Sequence, residues 1–183
     1  MKKLLLLAIS AAVVGFASCD KLKDMVKINV GVQSQNGEFK IDPIPGAGEN
    51  ELGAANVYVN VDSIIKTQNS SVGVGNIKSA KVTEVTLEIL NPSADNNFAV
   101  VESAKVSLSS DTKAEVVTIA ELTGNPDEYK TSINIPLNGE VDLADYMRGS
   151  SFTYKLWAKT RRGTTEVINC KATVKYELVV GLD

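Results

Sequence analysis

The segment SFTYKLWAKTRRGTTEVINCKATVKYEL, residues 151–178, decides the fold class because apolar and polar side chains alternate along most of it. Alternation with a period of two is typical of β-strands that bury one face. The pattern predicts two strands, at 151–160 and 165–178, joined as a hairpin around Arg162 and Gly163. On the second strand one face carries only apolar side chains: Ile168, Cys170, Ala172, Val174, Tyr176 and Leu178.

The same alternation recurs towards the N-terminus between turn-forming residues. It predicts further strands at 25–32, 37–41, 57–61, 81–90, 98–108, 115–122 and 129–137. A Gly- and Pro-rich loop is predicted from residue 43 to about residue 55. Pro136 predicts an edge position for the strand at 129–137, because proline cannot donate a ladder hydrogen bond. A helical turn capped by Asp142 is predicted, since aspartate is a good N-cap. A short helix capped by Asp62 is favoured for the same reason, with continuation of the strand at 57–61 as the alternative.

Strands that follow one another with frequent turns and little helix predict an all-β protein. We expect an antiparallel two-sheet β-sandwich of about eight strands, immunoglobulin-like or Greek-key, with one or two short helical turns.

The first residues have the composition of an export signal. Two lysines precede an apolar run at 4–16, and the small pair Ala17 and Ser18 then leads to Cys19. The run is shorter than the roughly 20 apolar residues that span a bilayer, which favours a cleaved signal peptide. We expect residues 1–18 to be removed, 19–25 to carry the lipid and form a polar tether, and 26–183 to form one domain. An ordinary secretory signal cleaved after Ser18 remains the alternative.

The basic start, short apolar run and small residues before Cys19 resemble the lipobox signal of bacterial lipoproteins. The chain as a whole is similar to small β-sandwich envelope lipoproteins of Bacteroidota. The resemblance implies that the Cys19 thiol carries diacylglycerol and that its freed amine is acylated, which would anchor the protein in a membrane through more than one chain. It further implies a place at the bacterial outer membrane, with the cell-surface and periplasmic sides both open.

Composition limits the chemistry available to the chain. It has 19 basic and 22 acidic residues and no histidine. Nucleic-acid binding is not expected, because it depends on clustered Lys and Arg, and the Arg161-Arg162 pair is interpreted as a solvated turn. Histidine is the commonest general base and metal ligand. Cys170 lies in an alternating apolar run and is interpreted as a small buried side chain. We therefore expect no cofactor, no metal and no enzymatic activity.

Trp157 is the main candidate ligand-binding residue. It lies on the polar face of its predicted strand together with Lys155 and Lys159, opposite the apolar side chains of that strand. An exposed Trp there could stack on a sugar ring, whereas a Trp covered by Lys stems or by a loop would be structural. The expected role is a non-enzymatic binding or accessory module whose partner is another envelope protein; glycan binding through Trp157 is the alternative.

Two groups of acidic and amide residues are candidates for metal binding and for hydrolysis. Asp95, Asn96 and Asn97 carry oxygen ligands, but their spacing does not match a calcium-binding loop, so a polar turn is predicted. Asp127-Glu128 and the pair Asp142/Asp145 are the nearest to paired carboxylates, and a hydrolase using such a pair is the less favoured alternative.

Overall fold

The computed structural model describes residues 27–182, and it confirms the predicted antiparallel two-sheet sandwich. The strands in this part of the chain are β1 (Lys27–Ile41), β2 (Gly48–Tyr58), β3 (Ile77–Ile89), β4 (Val101–Ser110), β5 (Val117–Leu122), β6 (Ser132–Asn134), β7 (Ser151–Thr160) and β8 (Ile168–Gly181). Sheet one has the order β1-β8-β3-β6, and sheet two has the order β2-β7-β4-β5. The predicted signal peptide at 1–18, Cys19 and the tether at 19–25 lie outside the described residues.

Short helices confirm the two predicted helical turns. They are α1 (Val61–Gln68) and α2 (Ala144–Met147), and two 3₁₀ turns occupy Val74–Asn76 and Phe98–Val100. The N-cap of α1 is Asn60 instead of the predicted Asp62, because the Asn60 Oδ1 accepts the backbone N–H of Ser63 at 2.9 Å. Within residues 27–182, no helix combines the length and apolar character needed to cross a bilayer.

The core lies between the sheets and is built from alternate residues of each strand. The predicted apolar face of β8 is buried throughout, and so is the face of β7 that carries Phe152, Tyr154, Leu156 and Ala158. The β3 face with Val85, Leu87 and Ile89 is buried as well. Removal of these side chains from water is the main favourable contribution to folding.

A buried polar contact links the two sheets through the core. The Tyr154 hydroxyl on β7 donates to the Gln35 Oε1 on β1 at 2.5 Å and also contacts the Tyr176 hydroxyl on β8. Burial raises the pKa of both phenols, so both stay protonated and neutral at ordinary pH. Buried polar groups that satisfy one another in this way fix how the facing sheets are aligned.

The predicted hairpin at 151–178 is wrong, because β7 and β8 lie in different sheets. β7 pairs with β2 and β4, whereas β8 pairs with β1 and β3. The connection at 161–167 therefore crosses from one sheet to the other. Alternation reports which face of a strand is buried, but it does not report which strand lies beside it.

Two predicted strands near the N-terminus are one strand in the structure. β1 covers both 25–32 and 37–41 as far as it is described, with a bulge between Asn29 and Val32. Gly31 sits in that bulge with φ of 76°, a conformation that glycine adopts without steric cost. The bulge adds one residue, so the inward positions change from even numbers (Val30) to odd ones (Gln35).

The loop predicted from residue 43 to about 55 is also wrong. It ends at residue 47, and β2 begins at Gly48. The first part of β2 contains Gly, Glu and Asn, which are not typical of strands. Its position at the edge of sheet two explains why these residues are accepted there, since one side of the strand has no ladder partner in the sheet.

The edge position predicted from Pro136 is confirmed, although β6 is shorter than the predicted strand. After β6 the chain leaves sheet one and runs along the edge strand of sheet two. The backbone N–H of Ile135 donates to Val85 in sheet one at 2.9 Å, and the Pro136 carbonyl accepts from Glu121 in sheet two at 2.8 Å. The segment thus closes one side of the sandwich.

Four loops meet at the end of the sandwich where β7 crosses to β8: 42–47, 90–100, 123–131 and 161–167. Buried polar groups connect them to one another. Arg161, predicted to be solvated, donates to the carbonyls of Ala99 at 3.1 Å and Val101 at 2.5 Å and also to that of Asn125. Thr164 and Ile44 exchange two hydrogen bonds, at 2.9 and 3.0 Å. The loops therefore form one cross-linked surface.

Replacement of Asn125 by Ala should destabilise the fold by about 2 kcal/mol. The Asn125 side chain is buried, and its Nδ2 donates to the carbonyls of Phe98 at 2.8 Å and Val101 at 2.9 Å. Urea unfolding followed by circular dichroism measures the loss. Asn134→Ala is the matched control, because Asn134 is exposed and forms its side-chain hydrogen bond at the surface. Equal losses for both variants would contradict the structural role of Asn125.

Candidate functional site

Trp157 lies on the outer face of sheet two, as the alternation along β7 predicts. Its side chain is 45% exposed, so no loop covers it. β7 is an inner strand of the sheet, and the register places Trp157 beside Glu51 of β2 and Lys105 of β4. Lys105 is in turn opposite Glu121 of β5. A single row of Glu, Trp, Lys and Glu therefore runs across all four strands.

A shallow trough includes Trp157, Lys105 and Glu121 of this row, and on β2 it is lined by Glu49 instead of Glu51. Its volume is about 330 Å³. The residues that line it come from every strand of the sheet: Glu49, Ser103, Ala104, Lys105, Glu121, Trp157, Ala158 and Lys159. Of the predicted ligand-binding residues, Trp157 and Lys159 are in the lining, whereas Lys155 lies beside Trp157 on β7 and outside the lining.

Each lysine around Trp157 has an acidic partner. Lys159 Nζ is 2.9 Å from Glu102 Oε1, Lys105 Nζ is 3.9 Å from Glu121 Oε1, and Lys155 Nζ is 4.0 Å from Glu51 Oε1. The hydrogen bond from Lys159 lowers the pKa of Glu102, which keeps this carboxylate ionised. Exposed pairs of this kind add little stability. Their effect here is to fix donors and acceptors around the ring while cancelling most of the local charge.

A bulge in β2 shapes the wall beside Trp157. The pairing of β2 with β7 shifts between Glu51 and Gly53, so Leu52 is an extra residue and points into the core. Gly53 has φ of 153°, and a Cβ there would lie 3.0 Å from the Phe39 ring. Both facts favour glycine. Because of the bulge, Glu49 and Glu51 both face outward next to Lys159 and Trp157.

The structure does not bring a second aromatic side chain into the trough. Among residues 27–182, no Tyr or Phe lines it. Tyr58 is 80% exposed but lies at the opposite end of the β2–β7 pair, beside Ser151. Tyr146 is buried in the core. Trp157 is thus the single stacking surface that this part of the chain offers at the site.

The polar turn predicted at residues 95–97 is confirmed. Asn97 binds its own turn, since its Nδ2 donates to Ala94 at 2.7 Å and its Oδ1 accepts from Ala99 at 2.9 Å. Asn96 is buried and donates to Glu166 at 3.2 Å. In the described part of the chain, no three His, Cys, Asp or Glu side chains come close enough to hold a metal ion.

The acidic residues considered for hydrolysis form structural contacts. Asp142 Oδ1 accepts the backbone N–H groups of Ala80 and Ala144, both at 3.0 Å. Asp145 contacts Arg148 at 2.5 Å, and Asp127 contacts Arg162 at 2.9 Å. The N-cap of α2 is Leu143 instead of the predicted Asp142, although Asp142 still accepts the backbone N–H of the first helical residue. Asp127 and Asp145 form surface ion pairs.

Cys170 is fully buried in β8, as its place on the apolar face predicts. Burial raises the pKa of its thiol to about 12, so the thiolate that would react is not formed at neutral pH. A buried neutral thiol acts as a small apolar side chain in the core.

Sequence alone missed the residues that complete the trough. Glu49, Ser103, Lys105 and Glu121 are far from Trp157 in the chain, and they meet it only through strand register. The alternation along each strand gives their outward orientation. The pairing of β7 with β2 and β4 instead of β8 is the missing information.

Comparisons with known proteins are distant. No family model and no curated protein matches the sequence. Among solved structures, the chain is similar to the capsid of the cyanophage Pam1, at 14% identity and a TM-score of 0.38, over 81% of this chain and 85% of that chain. It is similar to FLHE at 11% identity and a TM-score of 0.33, over 82% of this chain and 97% of that chain. It is similar to an infectious bursal disease virus protein at 12% identity and a TM-score of 0.35, over 85% of this chain and 31% of that chain.

Acrylamide should quench the fluorescence of the folded protein strongly, and the emission should be red-shifted. Trp157 is the only tryptophan in the chain and is half exposed, so the whole signal reports the trough. Stern–Volmer analysis of the folded and urea-unfolded chain gives the accessible fraction. A blue emission that acrylamide quenches only after unfolding would show that the ring is covered.

Proposed function

We propose that this protein is a lipid-anchored cell-envelope protein that acts as a non-enzymatic binding module. The observation that carries the binding role is the exposure of Trp157 in the centre of the trough on sheet two. Trp is enriched among the residues that contribute most of the free energy of binding at interfaces. Its position on an inner strand, paired on both sides, orders the backbone that carries the ring, which reduces the entropy lost on binding.

Support for the anchor comes from the N-terminal sequence. The apolar run at 4–16 is followed by Ala17, Ser18 and Cys19, which resembles the signal of bacterial lipoproteins. The proposed site of lipidation is the Cys19 thiol, and the proposed location is the bacterial outer membrane. In this proposal the lipid on Cys19 anchors the protein in the membrane, and the folded domain binds the ligand.

Support for a non-enzymatic role comes from what the candidate groups do in the fold. The chain has no histidine. The Cys170 thiol is buried and has a raised pKa. The carboxylates of Asp142, Asp145 and Asp127 hold a helix start and surface ion pairs. Binding without chemistry is therefore the role that these residues favour.

Cys19→Ser should release the protein from membranes, because the serine hydroxyl cannot accept the lipid through a thioether. Membrane and soluble fractions of producing cells are compared by immunoblot, and the mass of the intact wild-type chain is measured in parallel. We expect the wild-type mass to equal that of a chain that starts at Cys19 and carries the acyl groups. Continued membrane association of the variant would rule out this anchor.

Photocross-linking tests the binding surface in intact cells. A benzophenone amino acid at Lys155, beside Trp157, should give adducts that are lost when Trp157 is also changed to Ala. The same amino acid at Tyr58 is the matched control, since Tyr58 is exposed on β2 but far from the trough. Adducts of equal yield from both positions would contradict a binding role for the Trp157 surface.

A further inference from the structure

We infer that the ligand of the trough is a short, neutral, linear oligosaccharide that lies across the four strands of sheet two. The inference rests on the proposed binding function and names the class of ligand for the same site. Three features of the trough lead to it: its polar surroundings, its balanced charge and its direction.

The surroundings of Trp157 fit a hydroxyl-rich ligand better than a protein partner. Protein interfaces place aromatic residues inside an apolar centre with a polar rim. Here Trp157 stands alone: among residues 27–182 the other large exposed apolar side chains, such as Tyr58, Val116 and Leu137, do not line the trough. Carboxylates, ammonium groups and the Ser103 hydroxyl surround the ring instead. A sugar ring offers what this arrangement needs, namely C–H groups for the indole face and hydroxyls for its neighbours.

The balance of charge favours a neutral sugar. Lys105, Lys155 and Lys159 each have a carboxylate within 4.0 Å. Glu49, which also lines the trough, adds a further negative charge to the outer face. An anionic glycan would have to displace these carboxylates to reach the lysines, and it would meet repulsion from Glu49. A neutral sugar can instead donate hydroxyls to the carboxylates and accept from the ammonium groups without breaking the pairs.

The direction of the trough favours a chain of sugars over a single ring. The lining extends from Glu49 on β2 to Glu121 on β5, across four strands. Three spacings between neighbouring strands amount to roughly 14 Å. Trp157 lies near the middle of this length, so a central ring would stack on the indole while the flanking rings reach the carboxylates at each end.

Titration of the full chain with neutral linear oligosaccharides tests the inference, with Trp157 fluorescence as the readout. Cello-, chito-, malto- and xylo-oligosaccharides are compared from the monosaccharide to the tetrasaccharide, together with oligogalacturonides as an anionic series. At least one neutral series should shift the emission, and its affinity should rise about tenfold or more from mono- to trisaccharide and then level off. The anionic series should bind more weakly.

Variants separate the site from the rest of the surface. By calorimetry, Trp157→Ala should weaken binding about tenfold or more, because it removes the one aromatic side chain that lines the trough, and Trp157→Phe should retain part of the affinity. Tyr58→Ala should bind as the wild type does. Three results would each overturn the inference: no response to any neutral series, tighter binding of the anionic series, or unchanged binding by Trp157→Ala. If the inference fails, membrane fractionation and photocross-linking still test the proposed function, because neither experiment depends on the class of ligand.

Discussion

The crossing of the chain between the two sheets after β7 is the constraint on which the rest of the structure depends. Arg161 sits at this crossing and donates to carbonyls of Ala99, Val101 and Asn125. A guanidinium carries five donors in a fixed plane, so one side chain can satisfy carbonyls from several loops at once. Since β7 and β8 separate here, each becomes an inner strand of its own sheet. Trp157 therefore has ordered neighbours on both sides.

The buried faces could be predicted from the sequence, because a period of two directly reports which side chains share a face. The alternate residues from Ile168 to Leu178 on β8 and from Phe152 to Ala158 on β7 are buried as expected, and Trp157 lies on the opposite face of β7. The strand partners could not be predicted. A seven-residue connection at 161–167 is compatible with a hairpin or with a crossing, and only long-range packing decides between them. The same is true of residues 33–36, whose pairing with β8 joins two predicted strands into one.

The candidate site also has a part that could be predicted from one strand and a part that depends on strand pairing. Trp157, Lys155 and Lys159 belong to one strand, and their shared outer face follows from β7 alone. Glu49, Lys105 and Glu121 join them only because β2, β4 and β5 are paired in one register. A shift of one residue in any of these strands would turn the carboxylates towards the core. The pairing register shifts at two places near the trough, between Glu51 and Gly53 on β2 and between Val101 and Ser103 on β4.

The path of β1 places Trp157 at the end of the sandwich opposite to the one where the described domain begins. An anchor at Cys19 would leave residues 20–26 before β1, a stretch that reaches at most about 25 Å. β1 then runs the length of the sandwich, about 46 Å for 15 residues, away from this end. Trp157 lies near the far end of β7. The trough crosses the strands of sheet two near this far end. In a chain anchored at Cys19, a ligand in the trough would therefore lie most of a sandwich length away from the side that faces the anchor.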